Sequence, residues 1–354
     1  MKKIVLTGGG TAGHVTPNIA LLPELRKAGY EIHYIGSKDG MEKALIEKEG
    51  IPYYGISAGK LRRYLDAKNF TDTFRIVKGF NEAMKVLRKI KPDMVFSKGG
   101  FVSSPVVWAA KIKKIPVVIH ESDMTPGLAN KLSLPFAQKI CYTFPETSKH
   151  IPQGKGVFTG LPVRDSLLKG DAEQGRRVCG FKDSKPVIVV IGGSQGSVRI
   201  NTAVRESLKD LTSRFNLCHI CGKGNMDEKF KNTPGYKQFE YVSDELRNIF
   251  AMADVVISRA GATVIFELLA LKKPNLLIPL SANASRGDQI LNSRSFEKQG
   301  FSRVLEEEKL TAGSLYEGIT YVYDNRASYV KAMKESNAGN GLERVIKVIK
   351  ENTR

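Results

Sequence analysis

Ile4-Val5-Leu6-Thr7-Gly8-Gly9-Gly10-Thr11-Ala12-Gly13-His14 begins as a short apolar run, turns through glycines and opens a helical pattern. The same grammar returns in Val187-Ile188-Val189-Val190-Ile191-Gly192-Gly193-Ser194-Gln195-Gly196. A continuous β-branched run of this kind is what a strand buried on both faces requires. Glycines let the backbone turn tightly and approach a phosphate, and the helix that follows offers free N–H groups and a partial positive charge. Two such starts in one chain predict two similar halves.

Working outward, strand-like runs recur at Glu31–Ile35, Met94–Phe96, Pro116–Ile119, Lys139–Cys141 and Val157–Thr159. After the restart they recur at Leu217–Ile220, Phe239–Val242, Asp254–Ile257 and Asn275–Ile278. Helical patterns fill the gaps, and Pro17 suits the first turn of the first helix. Strands alternating with helices predict parallel βαβ units. The predicted fold is therefore α/β: a Rossmann-like domain over 1–161 and a second over 162–340. A basic amphipathic helix in 341–354 is expected to pack back on the first.

The chain has 354 residues, 42% hydrophobic and 26% charged, enough for two cores without a disulfide or metal staple. Its formal net charge of +19 calls for an anionic partner: nucleic acid, a membrane surface or phosphorylated small molecules. No zinc-finger spacing, RNA-recognition signature or aromatic-interleaved basic ladder is present, so no nucleic-acid partner is expected. The N-terminal Met-Lys-Lys reads as the lead into a first strand, not a signal peptide. No run approaches the ~18 apolar residues of a membrane span. The four cysteines suggest a reducing compartment; the lone pair Cys218 and Cys221 reads as packing, with zinc or redox chemistry as the alternative.

A G-x-G-x-x-G loop also suits a dinucleotide. That site wants an acidic residue at the end of the second strand, and here Tyr34-Ile35-Gly36-Ser37-Lys38 precedes Asp39, which comes late. Two loops in two halves fit two phosphate-bearing ligands better than one dinucleotide.

The set GGGTAGHVTPN (8–18), SKGGFVSSP (97–105), HESDMTPGLANK (120–131), GGSQGS (192–197), SRAGATVIFE (258–267) and GDQILN (287–292) resembles the MurG family, in order and over nearly the whole chain. The resemblance implies a GT-B fold, two Rossmann-like domains facing across a cleft. It implies an inverting transfer of N-acetylglucosamine from UDP-N-acetylglucosamine to the 4-hydroxyl of the muramoyl unit of lipid I, giving lipid II. The implied place is the cytoplasmic face of the bacterial plasma membrane.

Residue by residue, the resemblance puts Gly10, Thr11, Ala12, Gly13 and His14, with Gly99 and Gly100, against the acceptor diphosphate, and counts Thr11, Ala12 and Gly13 among the donor- or substrate-binding residues as well. It puts Asp123 on a sugar and Arg164 on the donor. Ser194 falls near the UDP phosphates and the Val242 backbone on uracil. Ala262, Thr263, Val264, Ile265, Phe266 and Glu267 surround the nucleotide, with Glu267 on the ribose, and Gln289 holds sugar hydroxyls. Many relatives have asparagine in place of Asp123, and some carry threonine where this chain has Val264.

The reaction needs a base, stabilisation of departing UDP and alignment of two substrates. No D-x-D metal motif is present, so neither metal nor cofactor is expected. His14 at a helix start and Glu121 after a strand are the candidate bases. His14 could instead bind phosphate or cap the loop, and Glu121 could instead hold backbone N–H groups. His120 reads as a core residue.

The segment Arg62–Lys91 is rich in Lys and Arg, with Phe70, Phe74, Val77 and Met84 at helical spacing and Phe80 near that face. It reads either as a helix packed on the sheet or as a peripheral patch for anionic inner-membrane lipids. Competing functions are a UDP-N-acetylglucosamine 2-epimerase or other GT-B enzyme, an NAD-dependent oxidoreductase, and a non-catalytic nucleotide-sugar binder.

Overall fold

Parallel strands dictate the architecture, and in the computed structural model every sheet pairing is parallel. Residues 1–59, 68–193, 195–282 and 287–354 are described. They form two units, Met1–Arg164 with Asn340–Arg354, and Asp165–Gly339.

The first unit contains β1 (Lys2–Thr7), α1 (Ala12–Lys27), β2 (Tyr30–Ser37), α2 (Met41–Lys48), β3 (Tyr53–Ile56), α3 (Lys68–Ile90), β4 (Met94–Ser97), α4 (Ser103–Ile112), β5 (Val117–Glu121), α5 (Leu128–Ser133), β6 (Lys139–Tyr142) and β7 (Gly156–Phe158). The sheet order is β3-β2-β1-β4-β5-β6-β7. Neighbouring residues serve opposite faces. Ile4 and Leu6 join one core with Leu21, Leu22 and Leu25 of α1, while Val5 joins another with Val106 and Val107 of α4. Pro17 sits in the second turn of α1 rather than the first, and its missing N–H leaves the Gly13 carbonyl without its usual helical donor.

The second unit contains α6 (Ala172–Cys179), β8 (Val187–Ile191), α7 (Val198–Glu206), α8 (Leu208–Arg214), β9 (Asn216–Ile220), β10 (Tyr236–Phe239), α9 (Leu246–Met252), β11 (Val255–Ser258), α10 (Ala262–Ala270), β12 (Asn275–Leu277), α11 (Asp288–Lys298), β13 (Arg303–Val304), α12 (Ala312–Asp324) and α13 (Arg326–Glu335). Its order, β10-β9-β8-β11-β12-β13, repeats the first pattern. The strand expected at Phe239–Val242 lies earlier, so Val242 falls in the loop after β10. All four cysteines are buried thiols.

Helix α14 (Gly341–Asn352) belongs to the first unit. Val345, Ile346, Val348 and Ile349 form its apolar stripe and enter the core shared with α1. At roughly 1.5–3 kcal/mol for each such side chain, burial holds the helix in place. Tyr30 donates to Thr353 Oγ1 (3.0 Å), tying down the next turn.

Candidate functional site

Each sheet reverses its strand order beside its first strand. In open α/β sheets ligands bind outside the carboxyl ends of the strands at that reversal. In the first unit the reversal lies between β1 and β4, where the Gly8–Thr11 and Lys98–Gly100 loops emerge. In the second it lies between β8 and β11, where Gly192–Gly196 and Arg259–Gly261 emerge.

In the first unit the two loops pack backbone on backbone. Gly100 has φ +86°, and a Cβ there would collide with the Gly9 carbonyl oxygen, so only glycine fits. Beneath them lies Glu42, a fully buried residue that no motif marks. It accepts N–H bonds from Ser37 (3.0 Å) and Gly10 (3.3 Å) and the Ser37 hydroxyl (2.5 Å). The Gly10 N–H is thus directed to Glu42 rather than outward from the loop. Glu42 thus props the first glycine loop from below.

His14 lies in the first turn of α1, half-buried, with Nδ1 3.1 Å from Thr11 Oγ1. Glu121 ends β5 rather than following it and is buried. Its Oε1 accepts the Asp123 N–H (3.0 Å); its Oε2 accepts the Gly127 N–H (3.1 Å) and the Asn130 amide (2.8 Å). Burial pushes its carboxyl above the usual range, and the nearby Asp123 adds to this. Both oxygens are engaged in shaping the 121–127 loop, the anchoring alternative to a base. His120 is buried with Nε2 2.9 Å from the Gly160 carbonyl, and burial holds the ring neutral, as a core histidine should be. Asp123 is half-buried on the same loop.

In the second unit Ser194 lies outside the described residues. Gly196 has φ +77°, and a Cβ there would strike the Cys221 carbonyl oxygen. Ser197 caps α7 by accepting the Ile200 N–H (3.3 Å). Arg259, directly after β11, binds three neighbours: Ser197 Oγ (2.7 Å), the Ile278 carbonyl (3.2 Å) and Glu307 Oε1 (2.5 Å). Sequence reading missed both Arg259 and Glu307. The position of Arg259 at a strand's carboxyl end was the available signal.

Helix α10 starts at Ala262 with Gly261 as its cap. Its Ile265 N–H bonds the Gly261 carbonyl (3.2 Å), and the Ile265 and Phe266 side chains are buried, Phe266 edge-on to Phe296. Both side chains therefore pack in the core. Ala262, Thr263 and Val264 keep the free first-turn amides. Glu267 is buried one turn further on. Gln289 Oε1 accepts the N–H groups of Ala260 (3.3 Å) and Leu280 (3.1 Å), which leaves its NH₂ as the part able to meet a ligand. Val242 is buried, and Arg164 closes the first unit.

On α3, Phe74 and Val77 are 66% and 54% exposed. Phe80 and Met84 are partly buried, packed against the core. The Phe70 side chain lies outside the described residues. Among the described residues no helix is long and apolar enough to cross a membrane.

Residues 4–142 match the glycosyltransferase family 28 N-terminal domain, and residues 187–349 match the glycosyltransferase family 28 C-terminal domain. A Clostridium tetani protein named UDP-N-acetylglucosamine–N-acetylmuramyl-(pentapeptide) pyrophosphoryl-undecaprenol N-acetylglucosamine transferase is 58% identical over 350 residues, 99% of this chain and 98% of its own. A Clostridium botulinum (strain Langeland) protein of the same name is 58% identical over 354 residues, 100% of both. The crystal structure of Acinetobacter baumannii MurG is similar with a TM-score of 0.78 at 26% identity, over 99% of this chain and 100% of that one. The two parallel-sheet α/β units are those of a GT-B glycosyltransferase. With both halves matched and full-length relatives at this identity, the chain belongs to glycosyltransferase family 28 and, within it, to the MurG family.

Proposed function

We propose that this chain moves N-acetylglucosamine from UDP-N-acetylglucosamine to the 4-hydroxyl of the muramoyl unit of lipid I, giving lipid II for peptidoglycan. The observation that carries this is 58% identity, over essentially the full length, to relatives bearing that transferase name.

The residues suit the chemistry. His14 is the base we favour over Glu121, whose oxygens are already engaged. With Nδ1–H donated to Thr11 Oγ1, Nε2 takes the proton of the acceptor hydroxyl. The alkoxide oxygen bonds to the sugar's anomeric carbon as the bond to UDP breaks, inverting that centre. The first turns of α7 and α10 offer N–H groups to the departing diphosphate. The Gln289 NH₂ meets sugar hydroxyls and Glu267 the ribose. Ala12, Gly13, Gly99 and Gly100 face the acceptor diphosphate.

The test is incubation with UDP-N-acetylglucosamine and a lipid I analogue. Release of UDP that requires the acceptor is expected. Release without acceptor would replace this reading with a hydrolase or epimerase, whose chemistry shares the donor half of the site.

The acceptor's polyprenyl chain gives the basic surface a partner. Phe74 and Val77 are placed to enter headgroups while Arg75, Lys78 and Lys85 meet anionic lipid at the cytoplasmic face of the plasma membrane. Sedimentation with anionic vesicles at low salt is expected to carry down most of the protein. Neutral vesicles, or Phe74→Ser with Val77→Ser, should carry down several-fold less, at roughly 1 kcal/mol per basic residue near the surface. Equal binding to both vesicle types would count against the patch.

A further inference from the structure

Glu42 stands in the first turn of α2, whose cap is Gly40, and its side chain is fully enclosed. A buried carboxylate must have hydrogen-bond donors. Among the described residues no cation pairs with it, and its donors come from two loops. Oε1 takes the N–H (3.0 Å) and the hydroxyl (2.5 Å) of Ser37, at the end of β2. Oε2 takes the Gly10 N–H (3.3 Å). The surrounding backbone is shaped to this group: a Cβ on Gly9 or Gly40 would strike its oxygens, and one on Gly36 would meet its stem.

A second set of bonds holds the other end of the glycine loop and meets the first at Ser37. Tyr34 donates to the Gly8 carbonyl (2.8 Å) and stacks on Tyr53, whose hydroxyl donates to the Ser37 carbonyl (2.5 Å). Asn18 of α1 donates to the Thr7 carbonyl (3.3 Å) and to Tyr34 Oη (3.2 Å). Gly8 is thus fixed through its carbonyl and Gly10 through its N–H. Between them, Gly9 carries the carbonyl against which Gly100 packs. A shift of Gly10 therefore disturbs both loops at the reversal between β1 and β4.

We propose that Glu42 is a positioning residue for the acceptor: by holding the Gly10 N–H it sets where the 8–13 and 98–100 loops stand when the acceptor diphosphate arrives. It touches neither substrate itself. The proposal rests on the reading of these loops as the acceptor side of a transferase.

Glutamine makes the test selective. Its amide has one acceptor oxygen and one NH₂. Ser37 offers that oxygen two donors and Gly10 offers one, so the oxygen of Glu42→Gln should stay on Ser37. The NH₂ then faces the Gly10 N–H, donor against donor. Ser37→Ala makes the opposite cut: it removes the hydroxyl bond and leaves the Gly10 bond in place. Gly40→Ala crowds the carboxylate without straining the backbone, since Gly40 has φ −82°.

The experiment measures kcat and KM for a lipid I analogue, thermal stabilisation by UDP-N-acetylglucosamine, and amide hydrogen exchange across 8–13. Glu42→Gln should lose about tenfold or more in kcat/KM for the acceptor, because a small misplacement of a substrate-holding loop is costly. Its donor affinity should stay within about twofold of wild type. The Gly10 amide should be protected in the wild type and exchange about tenfold faster in Glu42→Gln. Gly40→Ala should give the same signature, and it carries the test if Glu42→Gln does not fold. Ser37→Ala should keep acceptor kcat/KM within about twofold even where its unfolding midpoint falls.

Wild-type acceptor kinetics in Glu42→Gln would overturn the proposal. So would equal acceptor losses in Ser37→Ala and Glu42→Gln, donor affinity falling in step with acceptor kcat/KM, or an unprotected Gly10 amide in the wild type. If the wild type shows no acceptor-dependent transfer, the function reading fails, and exchange at Gly10 still decides whether Glu42 holds the loop.

Discussion

His14→Ala is expected to lower acceptor-dependent turnover by about 100- to 10,000-fold, the range a positioned general base supplies. The argument is geometric. His14 is half-buried in the first turn of α1, beside the amides assigned to the acceptor diphosphate, and Thr11 Oγ1 lies 3.1 Å from Nδ1. That contact can fix the tautomer in which Nε2 carries the lone pair. Donor binding should be nearly untouched, because the Ser194, Val242, Ala262–Glu267 and Gln289 positions proposed for the donor lie in the second unit and His14 in the first. Stabilisation of the variant by UDP-N-acetylglucosamine should therefore match wild type within about twofold in affinity. Thr11→Val removes the tautomer-setting oxygen but leaves the ring, so a smaller loss of about tenfold is expected. Turnover of His14→Ala close to wild type would remove His14 from the mechanism.

The second large effect is on folding. Arg259→Ala should destabilise the second unit by about 3–5 kcal/mol, the cost of leaving one member of a buried ion pair behind. The side chains of Arg259 and Glu307 are 11% and 5% exposed, so solvent screens their interaction little. Among the described residues Glu307 would retain the Ser281 N–H (3.3 Å) as a backbone partner, and Ser197 would lose a bond at the head of α7. For a unit of this size the unfolding midpoint should drop by about 6–20 °C. The paired change Arg259→Met with Glu307→Met should recover much of that loss, since a buried pair and a packed apolar pair are of similar worth. Calorimetry decides it: a drop below about 2 °C for Arg259→Ala would show that the pair contributes little.

The parts of this protein legible in sequence are those that local chemistry dictates. Val187–Ile191 could hardly be anything but a buried strand, and the glycines after β1 and β8 announce tight turns at helix starts. Those two features place both loops at the sheet reversals. The short strands β3 and β13 escaped notice because each has few residues and lies at or near a sheet edge. The buried ionic supports were illegible for another reason. Glu42 lies 32 residues from Gly10, and Glu307 lies 48 from Arg259. Nothing local marks such partners; only the folded chain brings them together. Helical spacing likewise put Phe80 with Phe74 and Val77, but the packing of α3 turned Phe80 toward the core.

The docking of α14 has a consequence for how the molecule comes into being. Its stripe of Val345, Ile346, Val348 and Ile349 completes a core begun by Ile4 and Leu6. On the ribosome those partners are separated by nearly the whole time of synthesis. Residues 165–339 can close their own sheet while the earlier-made first unit still exposes the apolar surface that α14 will cover. The half made first is thus the half finished last, and a chain stalled before position 341 leaves that surface open.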